Sequence, residues 1–263
     1  MKLHRIKATL LQEFFITLHS YEVILDIFVF PGMSIVVFGF LSSYIAGSAS
    51  SYVGHSLLMG MLLWQVIFII QYSVSVGSLW NIWSRNLSNM FITPIRLDEY
   101  LISYSLSGTL KAFTVFFISA FLINIFFGYN IFQLGLLPLA LYLLNLTFFA
   151  FSMGIIILGL IFKLGTRIQA FAWGLLPIVQ PIAAALYPVH VLPIPIQIVS
   201  YMLPPTFIFE SARATLEKGT INYAFIGISF IENIVYFILA LLFFNYMFNK
   251  SKETGQFARN EGA

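Results

Sequence analysis

The chain has 263 residues, of which 60% are hydrophobic and only 9% charged. Its mean hydropathy of +0.93 excludes an ordinary soluble domain, which would carry about 25% charged residues, and nothing suggests a nucleic-acid partner. There is no cysteine, which excludes disulfides, thiolate metal sites and catalytic thiols; the net charge of +3 says less than where the charges lie.

The pattern predicts an all-α polytopic membrane protein built as one transmembrane domain. Residues 1–20 come first and lack the compact apolar core of a cleavable signal peptide. Leu3, Ile6, Leu10, Leu11, Phe14 and Leu18 repeat at helical spacing, while Lys2, Arg5, Gln12 and Glu13 lie mostly off that stripe. This is the pattern of an amphipathic helix lying in a membrane interface, either as part of a mechanism or as a plain anchor.

Six apolar runs follow, at 23–44, 57–76, 100–127, 134–162, 168–186 and 223–248. Each approaches the ~20 residues a helix needs to cross a bilayer. Ten of the 13 basic residues fall on one side of this arrangement: Lys2, Arg5, Lys7, Arg85, Arg96, Lys163, Arg167, Lys250, Lys252 and Arg259. Positive residues accumulate in cytoplasmic loops, so both termini, including the tail 249–263, are expected in the cytoplasm.

Between the second and third runs lies SRNLSNMFITPIRLDEYL, Ser84 to Leu101. Within its core, 84–99, Leu87, Met90 and Phe91 share one face if the stretch is helical. Pro94 disfavours helical geometry at Thr93 and ends such an element before the third run.

Between the fifth and sixth runs, 187–219 holds Pro188, Pro193, Pro195, Pro204 and Pro205. Proline removes a backbone donor, so short re-entrant helices are expected here rather than a continuous span. A regular helix resumes after Pro205, Glu210 and Arg213 stand three apart on its face and can pair, and Gly219 is a stop.

Three ionisable residues fall inside the runs: Asp26, Lys111 and Glu232. Asp26 is close enough to the end of its run to reach the interface. Lys111 lies ~16 Å deep from one side and Glu232 ~14 Å from the other, so a buried Lys111–Glu232 pair is expected on depth alone. That pair would either fix helix packing or touch cargo.

The chain lacks a G-x-x-x-x-G-K-[ST] phosphate loop, an H-E-x-x-H metal motif and a serine nucleophile elbow. No cofactor or metal site of its own is expected. His4, His19, His55 and His190 are scattered, and Asn86-Leu87-Ser88 and Asn145-Leu146-Thr147 match a glycosylation pattern only by chance, given their placement.

Taken together, the chain resembles the membrane subunit of an ABC-2 type transporter, the permease half of an ABC exporter. Two stretches carry the resemblance. Arg85 to Pro94 is similar to the family's loop ending in Ser/Thr-Pro and followed by an acid, here Asp98 or Glu99. Leu203-Pro204-Pro205-Thr206 through Glu210 and Arg213 is similar to its Leu-Pro…Glu-Ala-x-Arg region, with Ser211-Ala212 intervening. The commoner Gly-Thr-Leu-Glu form of the first stretch is absent.

The resemblance implies an N-terminal interfacial helix, six spans, a cytoplasmic coupling helix and extracellular re-entrant helices. It implies two permeases, here expected as a homodimer, with two cytoplasmic ATPase subunits that bind the ATP. It assigns ATPase coupling to Arg85, Leu87, Met90, Phe91, Pro94 and Arg96. The expected activity is export of an amphiphilic cargo, such as a lipid-linked glycan, a lipid or a hydrophobic drug, across a prokaryotic cytoplasmic membrane. The opposing readings are an ion-coupled secondary transporter and a non-transporting membrane scaffold or binding protein.

Overall fold

The computed structural model describes residues 2–48, 50–84 and 86–253; the side chains of Ser48, Leu87, Ser88, Phe91 and Thr166 lie outside the described part. Ten helices organise the described residues: α1 (Leu3–His19), α2 (Tyr21–Gly47), α3 (Ser51–Trp83), α4 (Leu87–Ile92), α5 (Leu97–Phe127), α6 (Leu136–Leu164), α7 (Gln169–Ile182), α8 (Ile194–Ser200), α9 (Pro204–Lys218) and α10 (Tyr223–Glu253). Five of them, α2, α3, α5, α6 and α10, are long and apolar enough to cross a membrane. The architecture is that of a multi-pass membrane protein.

The local punctuation follows the sequence. Ser50 caps α3 by accepting from the Val53 N–H. Gly128 and Gly219, both at φ 67°, close α5 and α9 in the left-handed conformation that glycine adopts without strain. Inside α2, Leu25–Val29 forms a π-turn directly before Pro31, and the widened backbone accommodates the proline.

Helix α3 is the centre of the bundle and is buried along most of its length. Helices α2, α5, α6 and α7 pack around it, and α10 packs on α6. Close approach depends on small residues. A Cβ on Gly108 of α5 would lie 3.2 Å from the Ile70 backbone, and one on Gly154 of α6 would lie 2.8 Å from Val74. Such contacts are the usual means of joining helices where lipid supplies no hydrophobic drive. The outward faces are apolar instead of charged: Phe40, Phe121 and Leu242 are each more than 60% exposed. Such a surface suits a hydrocarbon solvent and not water.

The fifth expected run is not a long span. The backbone is 3₁₀ over Gly165–Ile168, and α7 ends at Ile182 after 14 residues. Pro177 and Pro181 lie within it and remove two donors from its ladder. The chain then turns at Ala184, at φ 51°, and continues through α8 into α9. The break therefore begins several residues before the proline-rich stretch to which it was assigned.

Neighbouring ends are fixed by direct contacts. Ser251 donates to the Phe162 carbonyl at 2.6 Å, and Tyr100 lies 6.5 Å from Phe162 between ring centres. The start of α5, the end of α6 and the end of α10 thus share one end of the bundle. Arg96, Lys163 and Lys250 gather there.

Candidate functional site: the junction of α1 with the α3–α5 corner

Helix α1 lies along α5 and presents an unexpected face to it. Ile6, Thr9, Glu13 and Thr17, spaced three or four apart, are the buried positions. Leu3, Leu11, Phe14 and Leu18 point outward and are exposed. Most of the apolar stripe is thus exposed, although Ile6 of that stripe is buried against the bundle. Part of the polar face, however, is turned against the bundle and not toward water.

That face meets four polar ties. The Glu99 carboxylate, fully buried in the first turn of α5, accepts from the Lys2 backbone N–H at 2.7 Å and from the Arg96 N–H at 3.1 Å. Arg5 Nη1 stands 3.4 Å from the same group. Gln12 donates to Asn81 Oδ1 at 3.1 Å, and Asn81 donates in turn to the Tyr104 hydroxyl. Lys111 Nζ lies 3.0 Å from Glu13 Oε2. Tyr100 donates to Ser78 at 2.8 Å. Gly77 makes room for this cluster, since a Cβ there would come within 2.7 Å of the Tyr104 ring.

The Lys111–Glu13 contact corrects the pairing expected from depth. Depth along a helix does not fix the direction in which a side chain leaves it. Lys111 projects toward α1, and α5 packs on α3 and α1, whereas α10 packs on α6 and α9. The Lys111–Glu232 pair is therefore not formed. Glu232 is left half-buried, and its Oε2 is enclosed without a hydrogen-bond partner. Asp26 is half-buried and accepts from the Tyr72 hydroxyl at 2.6 Å.

The α3–α5 corner contains the helix anticipated from sequence. α4 runs over Leu87–Ile92, and Thr93 leaves it in extended geometry (ψ 158°), as a residue before proline must. Its expected apolar face divides. Met90 is buried in the core of the chain itself, beside α1, and is not free to dock. Leu87 and Phe91 lie outside the described side chains, and Arg85 lies outside the described residues altogether, as does Arg259 in the tail. Ile92, which periodicity did not single out, is 82% exposed. Pro94 is exposed, and Arg96 makes an exposed 3.0 Å pair with Asp98. Of the two candidate acids after the proline, Glu99 is therefore the buried organiser and Asp98 a surface partner. Between α1, α4 and the 93–95 link lies a cavity of about 580 Å³, lined by Lys2, His4, Arg5, Met90 and Ile95 among others.

A second polar centre holds the broken segment. Glu210 and Arg213 do pair, at 3.8 Å. Glu210 also accepts from the Val189 N–H at 3.0 Å, and Arg213 donates to the carbonyls of Ala184 and Tyr187. These two residues thus satisfy backbone groups that the prolines and the Ala184 turn leave without helical partners. Burial lowers the pKa of the Arg213 guanidinium from its ordinary value, and the Glu210 charge opposes that shift.

Comparison with known proteins finds no protein-family model that matches this chain and no curated protein that matches it.

Proposed function

We propose that the chain is the permease subunit of an ATP-driven exporter of the ABC-2 type, with α4 as the element on which a separate ATPase acts. One observation carries the reading. A six-residue helix sits between two long spans, too short to be stable without support, and the short 93–96 link joins it to the first turn of α5, where Glu99 accepts from both the Arg96 N–H and the Lys2 N–H ahead of α1. A push on α4 would reach α5 and α1 together. The exposed Ile92 gives α4 an apolar tip, and Arg96 a charged rim.

The remainder of the reading follows the same lines. α7 and the segment after it make the fifth of six crossings, a broken one, with α8 and α9 re-entrant from outside. The end of the bundle carrying Arg96, Lys163 and Lys250 faces the cytoplasm, as do both termini, in a prokaryotic cytoplasmic membrane. Two copies of the chain assemble with two ATPase subunits, and an amphiphilic cargo leaves between the permeases.

Co-expression with a candidate ABC ATPase subunit tests the reading. The two should co-purify, and Phe91→Ala or Ile92→Asp should release the ATPase or uncouple its hydrolysis while the permease still inserts. Apolar anchors in a partner's pocket often carry ≥2 kcal/mol of binding, far more than rim charges. Transport that runs on an ion gradient with no ATPase present would overturn the proposal.

A further inference from the structure

With Lys111 taken by Glu13, Glu232 is an ionisable group well inside a long helix for which no partner is described. Its Oε2 is enclosed and accepts nothing. It lies about nine residues into α10, ~14 Å along the axis, where an isolated charge is unfavourable unless it meets a counter-charge. Its surroundings are apolar and open: Ile228, Ile231 and Val235 are exposed on the same stretch of helix. Tyr236, one turn further on, shares the flank of Glu232 and donates to the Met202 carbonyl at 2.9 Å. The flank therefore runs along the link between α8 and α9, where Tyr201 and Met202 are also exposed.

The lysines and arginines described nearest this depth are already engaged or lie at a helix end. Lys111 is held by Glu13, and Arg213 by Glu210 and two carbonyls. Lys218 stands at the exposed end of α9, before α10 begins. A carboxylate flanked by an aromatic ring and an open apolar face is instead complementary to a small organic cation carrying apolar groups.

We propose that Glu232 anchors the cationic group of an amphiphilic ligand, with Tyr236 beside it and the apolar face of α10 against its hydrocarbon part. If the chain is the exporter proposed above, on which this last step rests, the cargo belongs to the class of cationic amphiphiles.

The test uses the full chain in lipid nanodiscs and tetraphenylphosphonium as probe, with tetraphenylborate as the control of opposite sign. Wild type should bind the cation saturably and the anion not at all. Glu232→Gln should weaken cation binding about tenfold or more, since it removes the charge and keeps the shape, while Glu232→Asp should stay within about threefold. A second measurement avoids the variants: a hydrophobic carbodiimide should label Glu232 in wild type, and tetraphenylphosphonium should protect it. Absence of saturable binding to wild type, equal binding of cation and anion, or unchanged binding by Glu232→Gln would each overturn the assignment. So would a Glu232→Gln protein that turns from dimer to monomer with cation binding intact, because Glu232 would then be a contact between copies. Binding needs no ATPase. Failure of the ATPase to co-purify, with binding intact, would sink the exporter reading and leave the site standing.

Discussion

Replacing Lys111 by Met separates the two pairings available to it. The ammonium is 11% exposed and the Glu13 carboxylate 2% exposed, at 3.0 Å. Lys111→Met strands that carboxylate, whose Oε1 is already enclosed without a partner. Breaking one side of a buried pair costs about 3–5 kcal/mol in soluble proteins, and the low figure suits a site at the edge of the bundle. At ~2–4 °C per kcal/mol for a chain of this size, the loss should lower the melting temperature in detergent by roughly 6–12 °C. Glu13→Leu alone should cost a comparable amount, because it leaves the ammonium partly buried and unpaired. The double variant should recover most of the loss, since two apolar side chains pack where two charges stood. Glu232→Gln combined with Lys111→Met is the control. These groups share no partner, so their effects should add within about 0.5 kcal/mol. Additive losses for Glu13 with Lys111, or strong coupling between Lys111 and Glu232, would refute the reasoning.

Three further outcomes are expected. Gly108→Ala should destabilise the chain by about 1–3 kcal/mol, because the new methyl meets Ile70 backbone at 3.2 Å that cannot move aside; an unchanged melting temperature would contradict the tight α3–α5 crossing. Arg213→Met should free the Ala184 and Tyr187 carbonyls and make residues 183–191 the first site of limited proteolysis, whereas Lys218→Met should leave the cleavage pattern as in wild type. Glu99→Gln should loosen α1 from the bundle, read as faster hydrogen exchange at the first turns of α1 and α5 together; exchange rising in α5 alone would show that the Lys2 and Arg5 ties do not hold the helix.

Much of this molecule was legible in residue order because its solvent is so restrictive. An apolar run of twenty residues in a chain with 9% charge has few fates other than a long helix. α2, α3, α5, α6 and α10 therefore appear close to where hydropathy put them. The short helix before Pro94 and the left-handed stop at Gly219 are equally local, set by the sterics of one or two residues. The Glu210–Arg213 pair was visible for the same reason, since a spacing of three on a helix is a distance.

What the tertiary structure decided concerns direction and competition. Sequence places Lys111 and Glu232 at similar depth but cannot say which way each leaves its helix, and packing turned Lys111 toward Glu13. It also decided that Met90 is used internally and that Glu99 and not Asp98 ties α1 to the corner. The physical reason is common to all three. Composition and period determine which elements form, since those are sums over neighbours in the chain. Which polar group meets which is settled only when helices from distant parts of the chain come within 3 Å of one another, and there a buried charge is satisfied by whatever the packing brings, or, like Glu232, is left open.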